Sequence, residues 1–342
     1  MTKKYNVAVV GATGAVGKTM LEILEERQFP IDQIFPLASE RSAGDTIDFN
    51  KKQVKVGNLA EFDFAKADIA LFSAGGSVSA EYAPKAAAKK CVVIDNTSYF
   101  RNEEDVPLVV PEVNSHAIAQ YKETYIIANP NCSTIQMLVA LAPIHRKVGI
   151  ERINVATYQS VSGAGNKGIH ELSDQTQALL NFKPLQKSAF SQQIAFNVIP
   201  HIDQFQDNGY TREEMKMVWE TQKILDDRSI LVNPTCVRVP VFYGHAEAVH
   251  IETKEKITAQ EVKQLMTEAE GVELMDDPGT LIYPSPAVNS AGNDPVFVGR
   301  IREDISYHRG INLWIVSDNI RKGAALNSVQ IAEKLIKILD KE

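Results

Sequence analysis

Apolar residues in the first third of the chain come in short unbroken runs, each followed by a turn and then by text of helical period. Residues 5–10, 34–38, 68–74, 91–95 and 125–128 are such runs. Four to eight apolar residues bounded by turn signals read as a buried strand. Residues 108–112 are expected to add another short strand. Met20, Leu21 and Leu24 mark an amphipathic helix after the first run, and Gly75 opens a second that reaches about Lys90. From Ser133, Ile135, Leu138, Val139 and Ala142 recur at i, i+3, i+4 and i+7, the spacing of one helix face. Strands alternating with helices predict a doubly wound, Rossmann-like parallel sheet.

From about Ile150 the texture changes. Residues 153–160 alternate as a strand, and helical text follows over 167–181. Thr211 with Glu214 three residues later is a capping box that opens a helix to about Leu225. Residues 236–243 and 245–252 read as strands, 258–270 as an amphipathic helix, and 296–302 with 311–318 as an antiparallel pair. This half is expected to be an α+β catalytic and dimerisation domain on a mixed or antiparallel sheet. The last segment puts Leu326, Val329, Ala332, Leu335, Ile336 and Leu339 on one stripe, expected to pack on the first domain. The expected division is 1–128 with 320–342 as the cofactor domain, and 129–319 as the catalytic domain.

Composition changes this picture little. With 342 residues, 44 % hydrophobic and 23 % charged, the chain has the make-up of a globular protein with two cores. A net charge of −7 without a dense basic patch argues against a nucleic-acid partner. No apolar run reaches the ~18 residues of a membrane span. The opening Met-Thr-Lys-Lys-Tyr leads straight into a strand, so no signal peptide is expected. Cys91, Cys132 and Cys236 form an odd, scattered set without metal-ligand spacing, which fits a reduced, cytoplasmic setting and no metal. Cys91 and Cys236, together with Asn154 and Thr157, read as structural.

Two stretches carry candidate chemistry. In Gly11-Ala-Thr-Gly-Ala-Val-Gly17, between strand and helix, Gly11 permits the tight turn, Gly14 the approach of a pyrophosphate, and Gly17 close helix–strand packing. After the next strand, Ser39-Glu-Arg-Ser42 offers both an acid for a ribose hydroxyl and Arg41 for a 2′-phosphate. Arg41 between two hydroxyls favours NADP. In Asn129-Pro-Asn-Cys-Ser-Thr134, Cys132 stands where a strand turns into a helix, so the helix dipole favours its thiolate. The alternative for Cys132 is a small packed thiol.

These stretches occur in order with Gln159-Ser-Val-Ser-Gly163, Arg238, His245 and Trp314-Ile-Val-Ser-Asp-Asn319. Together they resemble the aspartate-β-semialdehyde dehydrogenase family over essentially the whole chain. The resemblance implies NADPH-dependent reduction of L-aspartyl-4-phosphate to L-aspartate-4-semialdehyde and phosphate, a step of aspartate-family amino-acid biosynthesis. By the same resemblance, Cys132 is the nucleophile, His245 the acid/base and Gln159 part of the acyl-enzyme pocket. Arg238 falls on the substrate carboxylate, and Glu220 on its amine. Arg101, Asn131 and Lys223 fall on phosphate, with Lys216, one helical turn from Glu220, as a rival to Lys223. Cofactor positions fall on Gly11, Thr13, Gly14, Ala15, Val16, Arg41, Ser42, Ser162, Gly163 and Asn319. A homodimer or homotetramer is implied, with the second-domain sheet as interface.

The chemistry asks for the same residue types: a thiolate that carries a thioester, an imidazole to move a proton, and a guanidinium fork for a carboxylate. One conflict stands in the sequence. Arg238 and His245 are seven apart, and strict alternation in a strand puts them on opposite faces unless Gly244 breaks the parity. Three rival readings remain. They are a sister acyl-phosphate reductase such as N-acetyl-glutamyl-phosphate reductase, a Cys–His hydrolase, and a non-catalytic nucleotide-binding protein.

Overall fold

The structure, a computed structural model, describes residues 3–341. Two compact units divide the chain: residues up to 130 together with those from 324 onward, and residues 131–323.

In the first unit, β1 (Tyr5–Val10) and β2 (Ile31–Ala38) precede an antiparallel hairpin of β3 (Thr46–Phe49) and β4 (Lys52–Lys55). Then come β5 (Gly57–Asn58), β6 (Ile69–Phe72), β7 (Val92–Asp95) and β8 (Ile126–Ala128). A parallel six-stranded sheet runs in the order β5-β2-β1-β6-β7-β8. β6 and β7 are buried at every position, which is why they read as unbroken apolar runs rather than as alternation. Strand order switches direction at β1, and ligands of such sheets bind at that switch, beyond the carboxyl ends. The glycine turn sits there, between β1 and α1 (Ala15–Glu26); α2 (Gly76–Ala87) follows β6.

Residues 108–112 do not form the expected strand. Leu108 makes one isolated bridge to Ala128, and Pro111 opens the four-residue α3 (Pro111–Asn114). The Asn114 side chain accepts from the Val110 N–H at 2.9 Å and donates to the Leu108 carbonyl at 2.9 Å, taking the groups a strand ladder would need. A second short turn, α4 (Tyr121–Thr124), leads into β8.

The second unit opens with α5 (Cys132–Val148), one residue earlier than the sequence pattern, and β9 (Ile150–Gln159). α6 (Asn166–Leu180), α7 (Arg212–Ile224), β10 (Leu231–Arg238), β11 (His245–Thr253), α8 (Ala259–Glu268), β12 (Val272–Leu274), β13 (Val296–Glu303) and β14 (Gly310–Ser317) follow. The sheet order is β10-β9-β11-β14-β13-β12. Its outer pairs, β10 with β9 and β12 with β13, are parallel; the three pairings between are antiparallel, so the sheet is mixed as expected. α5 packs on the middle strands, α7 on β10, and α8 on β12 and β13. α7 begins with the capping box read from the sequence: the Glu214 N–H donates to the Thr211 hydroxyl, and the Thr211 N–H to the Glu214 carboxylate.

The expected strand over 236–243 ends at Arg238. Pro240 supplies no N–H for a ladder. The chain beyond pairs instead with the turn after β9, through Val161 N–H to the Val241 carbonyl and Ser162 N–H to the Phe242 carbonyl. The last helix, α9 (Leu326–Leu339), belongs to the first unit and shares one apolar core with α1 and the parallel sheet. Each of its fully buried Leu326, Val329, Ile331 and Leu335 contributes about 1.5–3 kcal/mol.

Candidate active site

The first unit builds a dinucleotide site mainly from backbone. The N–H groups of Gly11 and Ala12 both donate to the Leu37 carbonyl, at 2.9 and 3.1 Å, and turn the chain sharply out of β1. Gly11 takes φ +88°, and a Cβ there would come within 3.0 Å of the Ser73 backbone. A Cβ on Gly17 would overlap the Gly11 carbonyl oxygen. Gly14 is the N-cap of α1 and uses no side chain, so the first N–H groups of the helix stay open to an anion. Beside this turn lies a cavity of about 530 Å³ whose wall includes Thr13, Gly14, Ser39, Glu40, Asn58 and Ser73. These features fit a nicotinamide dinucleotide: a tight glycine turn, open helix amides and a cavity alongside. Arg41 and Ser42 follow on a short exposed 3₁₀ turn, and Ala15 and Val16 form the first turn of α1. Arg101 is buried beyond β7, its guanidinium held on the carbonyls of Asn96 and Thr97, both at 3.0 Å.

The second unit builds its site from side chains. Cys132 is the first residue of α5 and half-buried. Asn131 is the N-cap; its side-chain oxygen accepts from the N–H of Ser133 at 3.0 Å and of Thr134 at 3.3 Å. α7 fixes this cap. The Asn131 amide nitrogen donates to Glu213 at 2.8 Å, and its backbone N–H to Glu220 at 2.6 Å. Gln159, the last residue of β9, donates to the Ser133 hydroxyl at 3.0 Å and to Glu213 at 3.3 Å. Burial pushes the Glu213 carboxyl up, but the Lys216 ammonium at 2.9 Å, with Asn131 and Arg238, brings it down to about 2. Lys216 also pairs with Asp203 at 2.8 Å. Lys223 lies half-buried in the last turn of α7.

Arg238 and His245 prove to lie on different strands, which removes the parity conflict. Arg238 ends β10 beside Gln159, and His245 begins β11 on the other side of β9. Between them residues 239–244 form a loop in which Gly244 takes φ +85°. Gln159, Arg238, His245 and, after β14, Asn319 therefore converge at one end of the mixed sheet. A Cβ on Gly163 would stand 2.8 Å from an Arg238 nitrogen and 3.4 Å from His245 Nε2, so both side chains face the same point. Arg238 donates to the Ser160 carbonyl at 2.7 Å. Burial lowers its pKa, while the negative charges of Glu213 and Cys132 raise it. Burial, then the Arg238 charge, depress His245 to about 3, so the ring is neutral. Its Nδ1 accepts the Ser160 N–H at 3.1 Å and meets the Ser160 hydroxyl at 3.0 Å. A backbone N–H can only donate, which assigns the ring proton to Nε2; that atom has no hydrogen-bond partner among the described residues. The Ser162 hydroxyl and the Gly244 N–H donate to the Asn319 side-chain oxygen at 3.1 and 3.0 Å, and the Ser160 hydroxyl, with one proton to give, stands 3.0 Å from both that oxygen and His245 Nδ1.

Sequence reasoning missed Glu213, Ser160 and Gly323. Glu213 reads as a solvated first-turn acid, although its spacing of seven from Glu220 puts both on one face of α7. Gly323 lies where a Cβ would press within 2.7 Å of the Cys132 Cβ. Nothing in its local sequence marks it.

A dinucleotide-type sheet joined to a mixed-sheet unit that carries Cys132 at a helix start, together with Arg238 and His245, defines the class as a nicotinamide-dependent oxidoreductase. Residues 6–121 match the family described as semialdehyde dehydrogenase, NAD binding domain, and residues 141–322 its dimerisation domain. The chain is 63 % identical to aspartate-semialdehyde dehydrogenase 2 of Vibrio cholerae over 98 % of this chain and 99 % of that one. A crystal structure of aspartate semialdehyde dehydrogenase II from Vibrio cholerae complexed with ASA superposes with a TM-score of 0.97 at 62 % identity, covering 98 % of this chain and 99 % of that one. The Candida albicans enzyme, solved with NADP, gives 0.77 at 25 % identity, covering 97 % and 98 %. The chain belongs to the aspartate-semialdehyde dehydrogenase family.

Proposed function

We propose that Cys132 carries the reaction as a thioester and that the physiological cofactor is NADPH. The observation that carries this reading is the convergence of Cys132, Arg238 and His245 in one unit, with the cysteine at an open helix start. Arg238 grips the α-carboxylate of L-aspartyl-4-phosphate with its fork, and Glu220 accepts from the amine. The Cys132 thiolate attacks the acyl carbon; the bond to the phosphate oxygen breaks, and phosphate leaves with the electron pair. Asn131 and Arg101 contact that phosphate, with Lys223, or its rival Lys216, as a further cation. Gln159 orients the thioester. The dinucleotide, held by Gly11, Thr13, Gly14, Ala15, Val16, Ser162, Gly163 and Asn319, supplies hydride when bound. His245 donates its Nε2–H as a hydrogen bond to the developing alkoxide, whose charge passes to sulfur as the C–S bond breaks and L-aspartate-4-semialdehyde leaves.

The case for NADP over NAD rests on Arg41 and Ser42 beside the cavity, and on the relative solved with NADP. A homodimer forms through the mixed-sheet face opposite α5, which presents Tyr158 and Trp314 side by side; the match to a dimerisation domain supports this. Three thiols without disulfides fit a cytoplasmic location. The test is an assay with aspartyl phosphate and N-acetyl-glutamyl phosphate under NADPH. Turnover of the first, at least a hundredfold faster, is expected; comparable rates would overturn the roles of Glu220 and Arg238.

A further inference from the structure

Beneath the reacting residues lies a second buried pair. Glu247 follows His245 by two residues on β11, so both side chains leave the same face of the sheet. Gln136 follows Cys132 by four residues on α5, one turn further along the same helix face. α5 packs on β11, and both elements run away from the site. Two strand residues advance about 6.8 Å and four helical residues about 6.0 Å. The Glu247–Gln136 pair therefore stands one layer below the Cys132–His245 pair, at nearly matched depth.

Both side chains are fully buried. Among the described residues, neither carboxyl oxygen of Glu247 and neither polar atom of Gln136 makes a hydrogen bond within normal geometry, to one another or to any other group. The two face each other, the Gln136 amide being the group that eases the charge on Glu247. An isolated carboxylate in such a place is costly, and burial pushes this carboxyl well above its usual range. A protonated carboxyl and a primary amide each present a donor beside an acceptor. A small closing shift lets the two side chains pair reciprocally, which an ionised carboxylate cannot do.

We propose that Glu247 and Gln136 act as an uncharged clamp between β11 and α5 that positions His245 against Cys132. Neither touches the substrate. They act through the two residues above them, and the inference rests on the roles given to Cys132 and His245 under Proposed function.

Glu247→Gln keeps one donor and one acceptor, and is expected to hold kcat within about threefold of wild type. Glu247→Met keeps the volume and breaks the pair. It is expected to lower kcat tenfold or more at unchanged KM for substrate, and to slow alkylation of Cys132 by iodoacetamide several-fold at pH 7. Should Glu247→Met not fold, Gln136→Leu removes the same pairing from the helix side, with the same losses expected. Wild-type kcat and alkylation rate in a folded Glu247→Met or Gln136→Leu protein would overturn the clamp, as would a Glu247→Gln loss equal to that of Glu247→Met. Parallel assays of Cys132→Ser and His245→Ala separate the two layers of inference. If either keeps wild-type turnover, the proposed function fails; if both are inactive while the clamp variants are normal, the clamp alone fails.

Discussion

The two units solve recognition in opposite ways. The first exposes backbone: a glycine turn, open helix amides and a cavity wall of small residues. The second assembles side chains from α5, α7, β9, β10 and β11 and buries almost all of them, Arg238 at 6 % exposure and His245 at 0 %. A site made of backbone is specified by a few adjacent residues, each needed for its shape. A site made of side chains is specified by residues far apart in the chain, such as Cys132 and His245, 113 positions apart, and is tuned by neighbours around them. The first is expected to tolerate change in side-chain chemistry but not in volume at its glycines. The second is expected to tolerate neither loss nor exchange of a charge.

The largest expected effect strikes the second unit. Cys132→Ser should lower turnover by about 10³-fold or more, because an alcohol is far less ionised than a thiol. Dinucleotide binding, measured by titration, should be unchanged, since Cys132 is not among the residues proposed to hold the cofactor. Turnover within about tenfold of wild type would remove Cys132 from the chemistry. Arg238→Lys keeps the charge and loses the fork, so kcat/KM should fall by about 2–4 kcal/mol. A substrate lacking the α-carboxylate should show a much smaller loss; equal losses would mean that the guanidinium acts elsewhere.

In the first unit, the response should be one of shape. Gly17→Ala drives a methyl into the Gly11 carbonyl and should cost about 1–3 kcal/mol of stability, read as a lower Tm together with weaker dinucleotide binding. An unchanged Tm would show that the turn relaxes freely. The smallest effect concerns Arg41, which is exposed. Arg41→Ala should raise the KM for NADP about tenfold, near 1.4 kcal/mol, and leave that for NAD almost unchanged. If wild type uses both cofactors equally well, Arg41 does not read a 2′-phosphate.

The same contrast explains what was legible in the sequence. The glycine turn announces itself because Gly11 and Gly17 are required by positive φ and by contact, and the flanking strand and helix confirm the context. Cys132 is legible for a similar reason: a buried strand, a turn and a capping Asn131 locate it at a helix start. The capping box of α7 is equally local. The expected strands over 108–112 and 236–243 failed where apolar content outweighed proline and asparagine chemistry: Asn114 captures the backbone of the first, and Pro240 ends the second. The convergence of Arg238 with His245 could not be read from spacing at all, because β9 intervenes between their strands. Glu213 and Glu247 look like ordinary surface acids in sequence. Only packing reveals one as a carboxylate held near 2 by Lys216, Asn131 and Arg238 against its burial, and the other as an acid that burial pushes well above its usual range.

The central claim is that Cys132 forms a thioester, and one measurement addresses it directly. The protein is incubated with L-aspartate-4-semialdehyde and NADP in the absence of phosphate, quenched in acid, digested and examined by mass spectrometry. Without phosphate the acyl group has no partner to leave with, so the account predicts an aspartyl adduct on the peptide carrying Cys132, discharged when phosphate is added before the quench and absent from Cys132→Ser. An unmodified Cys132 peptide in a preparation that turns over once phosphate is supplied, or an adduct on another residue, would contradict it.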